Sequence, residues 1–177
     1  MTKALVIIDI QNDYFPGGAM ELVGSVEAAE VAAKIQQDFR NQGLPVINVQ
    51  HIAKSPTATF FLPGTEGAEI YKSVKPAEGE LVIVKHFPNA FRETTLLESL
   101  KDLKVTEIVI IGMMTHMCID TTVRAASDLG FNVTVVENAC ATKDLQHNET
   151  LVTAKNVQAA YLAALDGSFA SVREFTE

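Results

Sequence analysis

The sequence predicts an α/β protein in three layers: a doubly wound, Rossmann-like sheet of about six mainly parallel strands with helices on both faces. Short β-branched runs bounded by turn residues alternate with longer stretches of helical period, which is the pattern of a parallel sheet covered on both sides. A length of 177 residues suits one domain able to bury its own core. Hydrophobic residues at 47% and charged residues at 20% belong to a folded chain rather than one unable to offset its ordering entropy. No fixed-period repeat and no Pro- or Gly/Ser-rich linker divides residues 1–177, so the chain reads as a single domain.

The first strand is the apolar run Ala4–Ile8, followed by a helix that Ser25 can N-cap. In that helix Val26, Ala29, Ala33 and Phe39 turn inward, and Gly43 stops it. Val46–Val49 and Leu81–Val84 are the next two strands. Thr95 and Glu98 have capping-box spacing ahead of Leu96, Leu97, Leu100 and Leu103, which predicts a short second helix. Ile108–Ile111 is the fourth strand. A third helix from Thr115 to Gly130 follows, with Ile119, Thr122, Val123, Ala126 and Leu129 at helical period. Val133–Val136 is the fifth strand, Thr150 to Leu165 an Ala-rich fourth helix, and Phe169–Val172 a weaker edge strand.

Composition removes several function classes. Fourteen Lys plus Arg against 22 Asp plus Glu leave a net charge of −8, which repels phosphate backbones and anionic lipid, so neither nucleic acid nor a membrane surface is an expected partner. Two cysteines, Cys118 and Cys140, are too few for a disulfide framework and lack zinc-ligand spacing. A reducing cytoplasm fits them best. The opening apolar run is broken at Asp9, too early for a signal peptide's hydrophobic region, and no stretch reaches membrane-spanning length. Neither GxGxxG nor GxxxxGK[ST] follows the first strand; the turn is carboxylate-rich and would repel a pyrophosphate.

In such folds ligands sit outside the carboxyl ends of the strands. That rim would carry Asp9, Gln50, His51, Lys85, His86, Gly112, Met113, Met114, Glu137 and Asn138. Cys118 lies just beyond, in the first turn of a helix for which Thr115 is a candidate N-cap. A helix N-terminus or a nearby cation such as Lys85 lowers a thiol pKa and favours the nucleophilic thiolate. Asp9 could accept the thiol proton and later protonate a leaving group. First-turn N–H groups, lacking intrahelical partners, could hold an oxyanion. A lone cysteine is more often a small buried hydrophobe, a lone aspartate a cap, and a lone lysine a solvated charge. Their convergence on one rim is what favours chemistry.

Three blocks make the sequence recognisable. Asp9-Ile10-Gln11-Asn12-Asp13-Tyr14-Phe15 opens the chain. Lys85 is followed by Asn89-Ala90-Phe91, with Thr94 and Leu96 completing FxxTxL. The third block is Gly112-Met113-Met114-Thr115-His116-Met117-Cys118-Ile119, with Thr122 and Ala126. In this order, over nearly the whole chain, they resemble the isochorismatase-like cysteine hydrolase superfamily, which includes nicotinamidases and N-carbamoylsarcosine amidase. The resemblance implies a catalytic Asp9-Lys85-Cys118 triad, a cis peptide between Met113 and Met114, and oxyanion donors at the Met114 and Cys118 N–H groups. It also implies a homo-oligomer, a dimer or larger. Phe15 and Phe91 lie inside the blocks and become candidates for a substrate wall.

Departures narrow the expectation. Metal-dependent nicotinamidases carry Asp-x-His after the second strand and a further downstream His; here the chain reads Val49-Gln50-His51-Ile52-Ala53, with no other His before His86. His51, His86, His116 and His147 are scattered, so neither a metal nor another cofactor is expected, and the histidines read as rim or surface residues. Residues 51–79 lack convincing periodicity and read as a lid or interface loop. Its Phe60 and Phe61 either wall an apolar pocket or pack the lid or a subunit contact. His116, two residues before the cysteine, is a further candidate for substrate contact, and Cys140 reads as a buried small residue. The functional expectation is a metal-independent cysteine amidohydrolase that cleaves a small amide or carbamoyl compound through a thioester. The alternatives are a non-catalytic small-molecule or protein-binding module on the same fold, and a redox-sensing thiol protein.

Overall fold

The computed structural model describes residues 2–176. In chain order the elements are β1 (Thr2–Ile8), α1 (Ser25–Asn41), β2 (Val46–His51), β3 (Leu81–Lys85), α2 (Leu96–Asp102), β4 (Val105–Met113), α3 (Asp120–Asp128), β5 (Asn132–Ala141), β6 (Leu145–His147), β7 (Thr150–Val152), α4 (Ala154–Leu165) and β8 (Ser171–Arg173). Six of the strands form one sheet in the order β3-β2-β1-β4-β5-β8, and every pairing is parallel. The chain winds outward from β1 to β3, then crosses back to β4 and winds the other way. The reversal therefore falls between β1 and β4, which opens the crevice where such sheets bind ligands.

β1 is buried on both faces, which is why it reads as a continuous apolar run rather than an alternation. Leu5 and Ile7 pack beneath Ala28, Ala29, Ala32, Ile35 and Phe39 of α1. Ala4, Val6 and Ile8 face the opposite layer, built from Leu96 and Leu100 of α2, Val123 and Ala126 of α3, and Leu162 and Leu165 of α4. The layers are thus unequal: α1 covers one face together with the loop between β2 and β3, while α2, α3 and α4 cover the other. Among the described residues no helix is long and apolar enough to cross a membrane.

Local details depart from the sequence expectation for physical reasons. Gly24, at φ 74°, is the N-cap of α1, and Ser25 is the first helical residue, with its side chain buried. Thr95 makes no side-chain cap to α2; the hydroxyl of Thr94 instead accepts from the Leu96 N–H at 3.3 Å. The expected third helix begins as a π-turn over Thr115–Ile119 and becomes α-helical at Asp120. Residues 150–152 pair with 145–147 as a small antiparallel hairpin, so α4 starts only at Ala154. β5 runs on to Ala141, which places Glu137, Asn138 and Cys140 within a strand rather than after one.

Gly112 brings the two central strands together. It pairs with Ile8, has φ +130°, and any Cβ there would overlap the Ile8 carbonyl oxygen. Gly112→Ala is therefore expected to destabilise the fold by roughly 2–4 kcal/mol, from overlap plus unfavourable backbone. Thermal unfolding should show it as a midpoint lowered by about 5–15 °C. An unchanged midpoint would show that the strands separate at no cost.

Candidate active site

Asp9 is the first residue after β1 and sits in the left-handed region at φ 52°, a conformation aspartate tolerates better than most residues. Its N–H donates to the Val49 carbonyl at 3.0 Å, which ties the turn to β2. Lys85 is the last residue of β3, and its side chain is fully buried. Cys118 lies in the π-turn that leaves β4, where the Met114 carbonyl accepts from the N–H groups of Met117 (3.0 Å) and Ile119 (3.3 Å). The Met113–Met114 peptide is cis.

These three strand ends meet in one place. Lys85 Nζ stands 2.6 Å from Asp9 Oδ2 and 3.3 Å from Cys118 Sγ. The same ammonium also lies 2.9 Å from His51 Nδ1 and donates to the Phe87 carbonyl at 3.1 Å. Asp9 is buried and neither of its oxygens has a hydrogen-bond partner, so the ion pair with Lys85 supplies the charge balance of this carboxylate.

Electrostatics depart from the sequence expectation at the thiol. Burial, and next the Asp9 carboxylate, push the Cys118 thiol well above its ordinary range, against the opposing pull of Lys85. Burial works against the Lys85 ammonium, but Asp9 and Cys118 more than offset it and hold its pKa above the usual lysine value. His51 moves the other way: burial and then Lys85 lower it to about 4, so its ring is neutral. Tyr14 is raised well above an ordinary phenol, by burial first and then by Cys118, Asp9 and Asp13.

The first block turns out to be a clamp on the loop between β2 and β3. Gln11 donates to the carbonyls of His51 (2.9 Å) and Ala68 (2.7 Å), and accepts from the His51 N–H at 2.8 Å. Asn12 donates to the Glu66 carbonyl at 2.8 Å. The Asp13 carboxylate accepts from Phe61 N–H at 2.6 Å and Ala19 N–H at 3.2 Å. Gly67 passes so close that any Cβ would overlap that carboxylate. On the other side, Thr122 accepts from the Ala90 N–H at 3.0 Å, which ties α3 to the segment after Lys85. The Thr115 hydroxyl does not cap its turn; it donates to Gln158 at 2.6 Å, and Gln158 donates onward to the Glu137 and Cys140 carbonyls.

Of the aromatic candidates, Phe61 lies beside His51 with Phe60 packed on it, Phe15 is engaged by Tyr71 and Phe91 by Phe131. Phe61 is buried, with its ring 5.8 Å from His51 and 4.6 Å from Tyr14, and Phe60 packs beside it at 4.9 Å. Phe15 stacks on Tyr71 at 3.4 Å. Phe91 stacks on Phe131, immediately before β5 and so at the opposite end of the sheet. His116 is half-buried and directed to Thr142 Oγ1 at 2.6 Å, with Tyr161 beside its ring. Cys140 is buried within β5, where burial pushes its thiol up to about 12. Sequence reasoning set His51 on the rim but not against Lys85, and it did not single out Tyr14, whose signal was its position inside the first block, next to Phe15.

A resident metal does not fit this arrangement. Asp9, His51 and Cys118 offer ligand-type atoms within 4.8 Å of one another, the layout of a three-ligand cation site. The Lys85 ammonium already stands against all three. A divalent ion would have to share that space with a buried positive charge.

Comparison with known proteins agrees with this architecture. The isochorismatase domain model matches residues 3–165. The isochorismatase family protein YddQ of Bacillus subtilis is 53% identical over 173 residues, covering 98% of this chain and 96% of its own. A crystal structure from Oleispira antarctica, described as that of an isochorismatase hydrolase, superposes with a TM-score of 0.94 at 48% identity, covering 98% of this chain and 93% of that one. The N-carbamoylsarcosine amidase of Thermoplasma acidophilum superposes with a TM-score of 0.84 at 25% identity, covering 100% and 98%. With the family model spanning most of the sequence and a relative more than half identical along its whole length, this chain belongs to the isochorismatase family.

Proposed function

We propose that the chain is a cysteine amidohydrolase that opens a C–N bond of a small amide or carbamoyl compound through a thioester on Cys118. The observation that carries this reading is the buried contact of one ammonium with a carboxylate at 2.6 Å and a thiol sulfur at 3.3 Å. The likeness to an N-carbamoylsarcosine amidase over the full chain supports the same bond class.

In this reading the Asp9 carboxylate takes the proton of Cys118 as the sulfur attacks the substrate carbonyl carbon. A raised thiol pKa suits such a concerted transfer, because no free thiolate has to accumulate. The C–S bond forms and the carbonyl electron pair moves to oxygen, where the N–H groups of Met114 and Cys118 hold the oxyanion. Collapse breaks the C–N bond as protonated Asp9 gives its proton to the departing nitrogen, releasing ammonia or an amine. Asp9 then deprotonates a water that attacks the thioester. The C–S bond breaks, the acid leaves, and the sulfur recovers its proton from Asp9. Lys85 stays an ammonium throughout and offsets negative charge wherever it lies along the Asp9–Cys118 axis.

A panel of small amides and N-carbamoyl compounds, assayed for ammonia release, tests the reading. At least one should be turned over, at a rate unaltered by chelator, since Lys85 fills the cation position. Loss of turnover on chelation, restored by added zinc, would overturn the metal-independent mechanism.

A further inference from the structure

We infer that His51 is a positioning residue for the Lys85 ammonium: its Nδ1 accepts one ammonium proton and holds the cation within reach of both Asp9 and Cys118. An ammonium has three protons. Here four atoms compete for it: Asp9 Oδ2 in an ion pair at 2.6 Å, His51 Nδ1 at 2.9 Å, the Phe87 carbonyl at 3.1 Å and Cys118 Sγ at 3.3 Å. Asp9 is the charged acceptor among them and would draw the cation most strongly, which would weaken that carboxylate as a base. The neutral acceptors, His51 and the Phe87 carbonyl, compete for it.

The His51 ring is well placed for this task because its backbone is held from both sides. The single side chain of Gln11 donates to the His51 carbonyl and accepts from its N–H, like one rung of a sheet ladder. Phe61 lies beside the ring at 5.8 Å, and Phe61 is itself fixed by Asp13 at 2.6 Å. Two residues of the first block therefore set the position of the lysine through a histidine that neither belongs to that block nor ligates a metal. With Nδ1 committed as an acceptor, the one proton of the neutral ring must reside on Nε2.

Two measurements decide the matter, and only the second rests on the amidohydrolase reading. Long-range ¹H–¹⁵N correlation on the ¹⁵N-histidine-labelled protein at pH 7 should show His51 as the Nε2–H tautomer, with Nδ1 unprotonated; a proton on Nδ1 would overturn the inference. For kinetics, His51→Leu, which removes the acceptor, should lower kcat between about 10- and 100-fold while KM changes less than about threefold. His51→Asn, which returns an acceptor oxygen near the Nδ1 position, should recover kcat to within about fivefold of the parent. Equal loss in both variants, or no loss in His51→Leu, would overturn the role. Absence of turnover by the parent on every amide would count against the amidohydrolase reading, and the tautomer would still decide His51.

Discussion

Cys118→Ala is expected to lower amide turnover by at least about 10⁴-fold, because loss of the nucleophile removes the covalent route entirely. The fold should survive. The side chain is small and nearly buried, so trimming its sulfur costs on the order of 1–2 kcal/mol of packing, a midpoint shift of a few degrees. Acid quenching of the parent during turnover, followed by mass spectrometry, should reveal an acyl adduct that the variant lacks. Activity within a few fold of the parent would remove the thioester from the mechanism. The raised thiol pKa adds a signature: alkylation of the resting protein by iodoacetamide should be slow at pH 7.

Lys85→Met is expected to cost stability as well as activity. Its ammonium compensates a carboxylate with no exposure to water, and leaving such a charge unpaired costs about 3–5 kcal/mol. At this chain length the midpoint should fall by about 10 °C or more. The informative comparison is Asp9→Asn with Lys85→Met, which removes both charges together. That double variant should regain most of the lost stability and none of the activity. If it stays as unstable as Lys85→Met alone, the cost lies in packing and the charge argument fails.

Those two predictions rest on parts of the molecule that were unequally visible before the structure. The central strands were legible because burial on both faces leaves uninterrupted β-branched runs, and their carboxyl ends pointed to Asp9, Lys85 and Cys118. The hairpin at 145–152 was not, since its short, largely exposed strands carry little apolar periodicity and Thr150 to Val152 merge into the pattern of α4. The π-turn at Cys118 was hidden because residues 115–119 have the spacing of an ordinary first turn. The thiol's direction of shift was misjudged for a longer-range reason. A helix terminus and a lysine can be read locally, whereas the burial that outweighs them comes from packing among residues far apart in the sequence. His51 could be set on the rim, but its contact with Lys85 could not be read, since the two join only across neighbouring strands.

The bonds from Gln11 and Asn12 end on main-chain carbonyls at His51, the last residue of β2, and at Glu66 and Ala68 in the loop over 52–80, and the bond from Asp13 takes a main-chain N–H at Phe61. Every peptide unit displays those groups whatever side chain it bears. Besides the tight spot at Gly67, the side chains of Phe61, Tyr71, Val74 and Glu80 are held by Tyr14, Phe15, the buried core and Arg40, so exchange without loosening the grip is confined to the exposed positions of the segment. Those exposed positions can drift in sequence while the same main-chain rungs and buried side chains keep the segment seated, an interchangeable faceplate on fixed mounts.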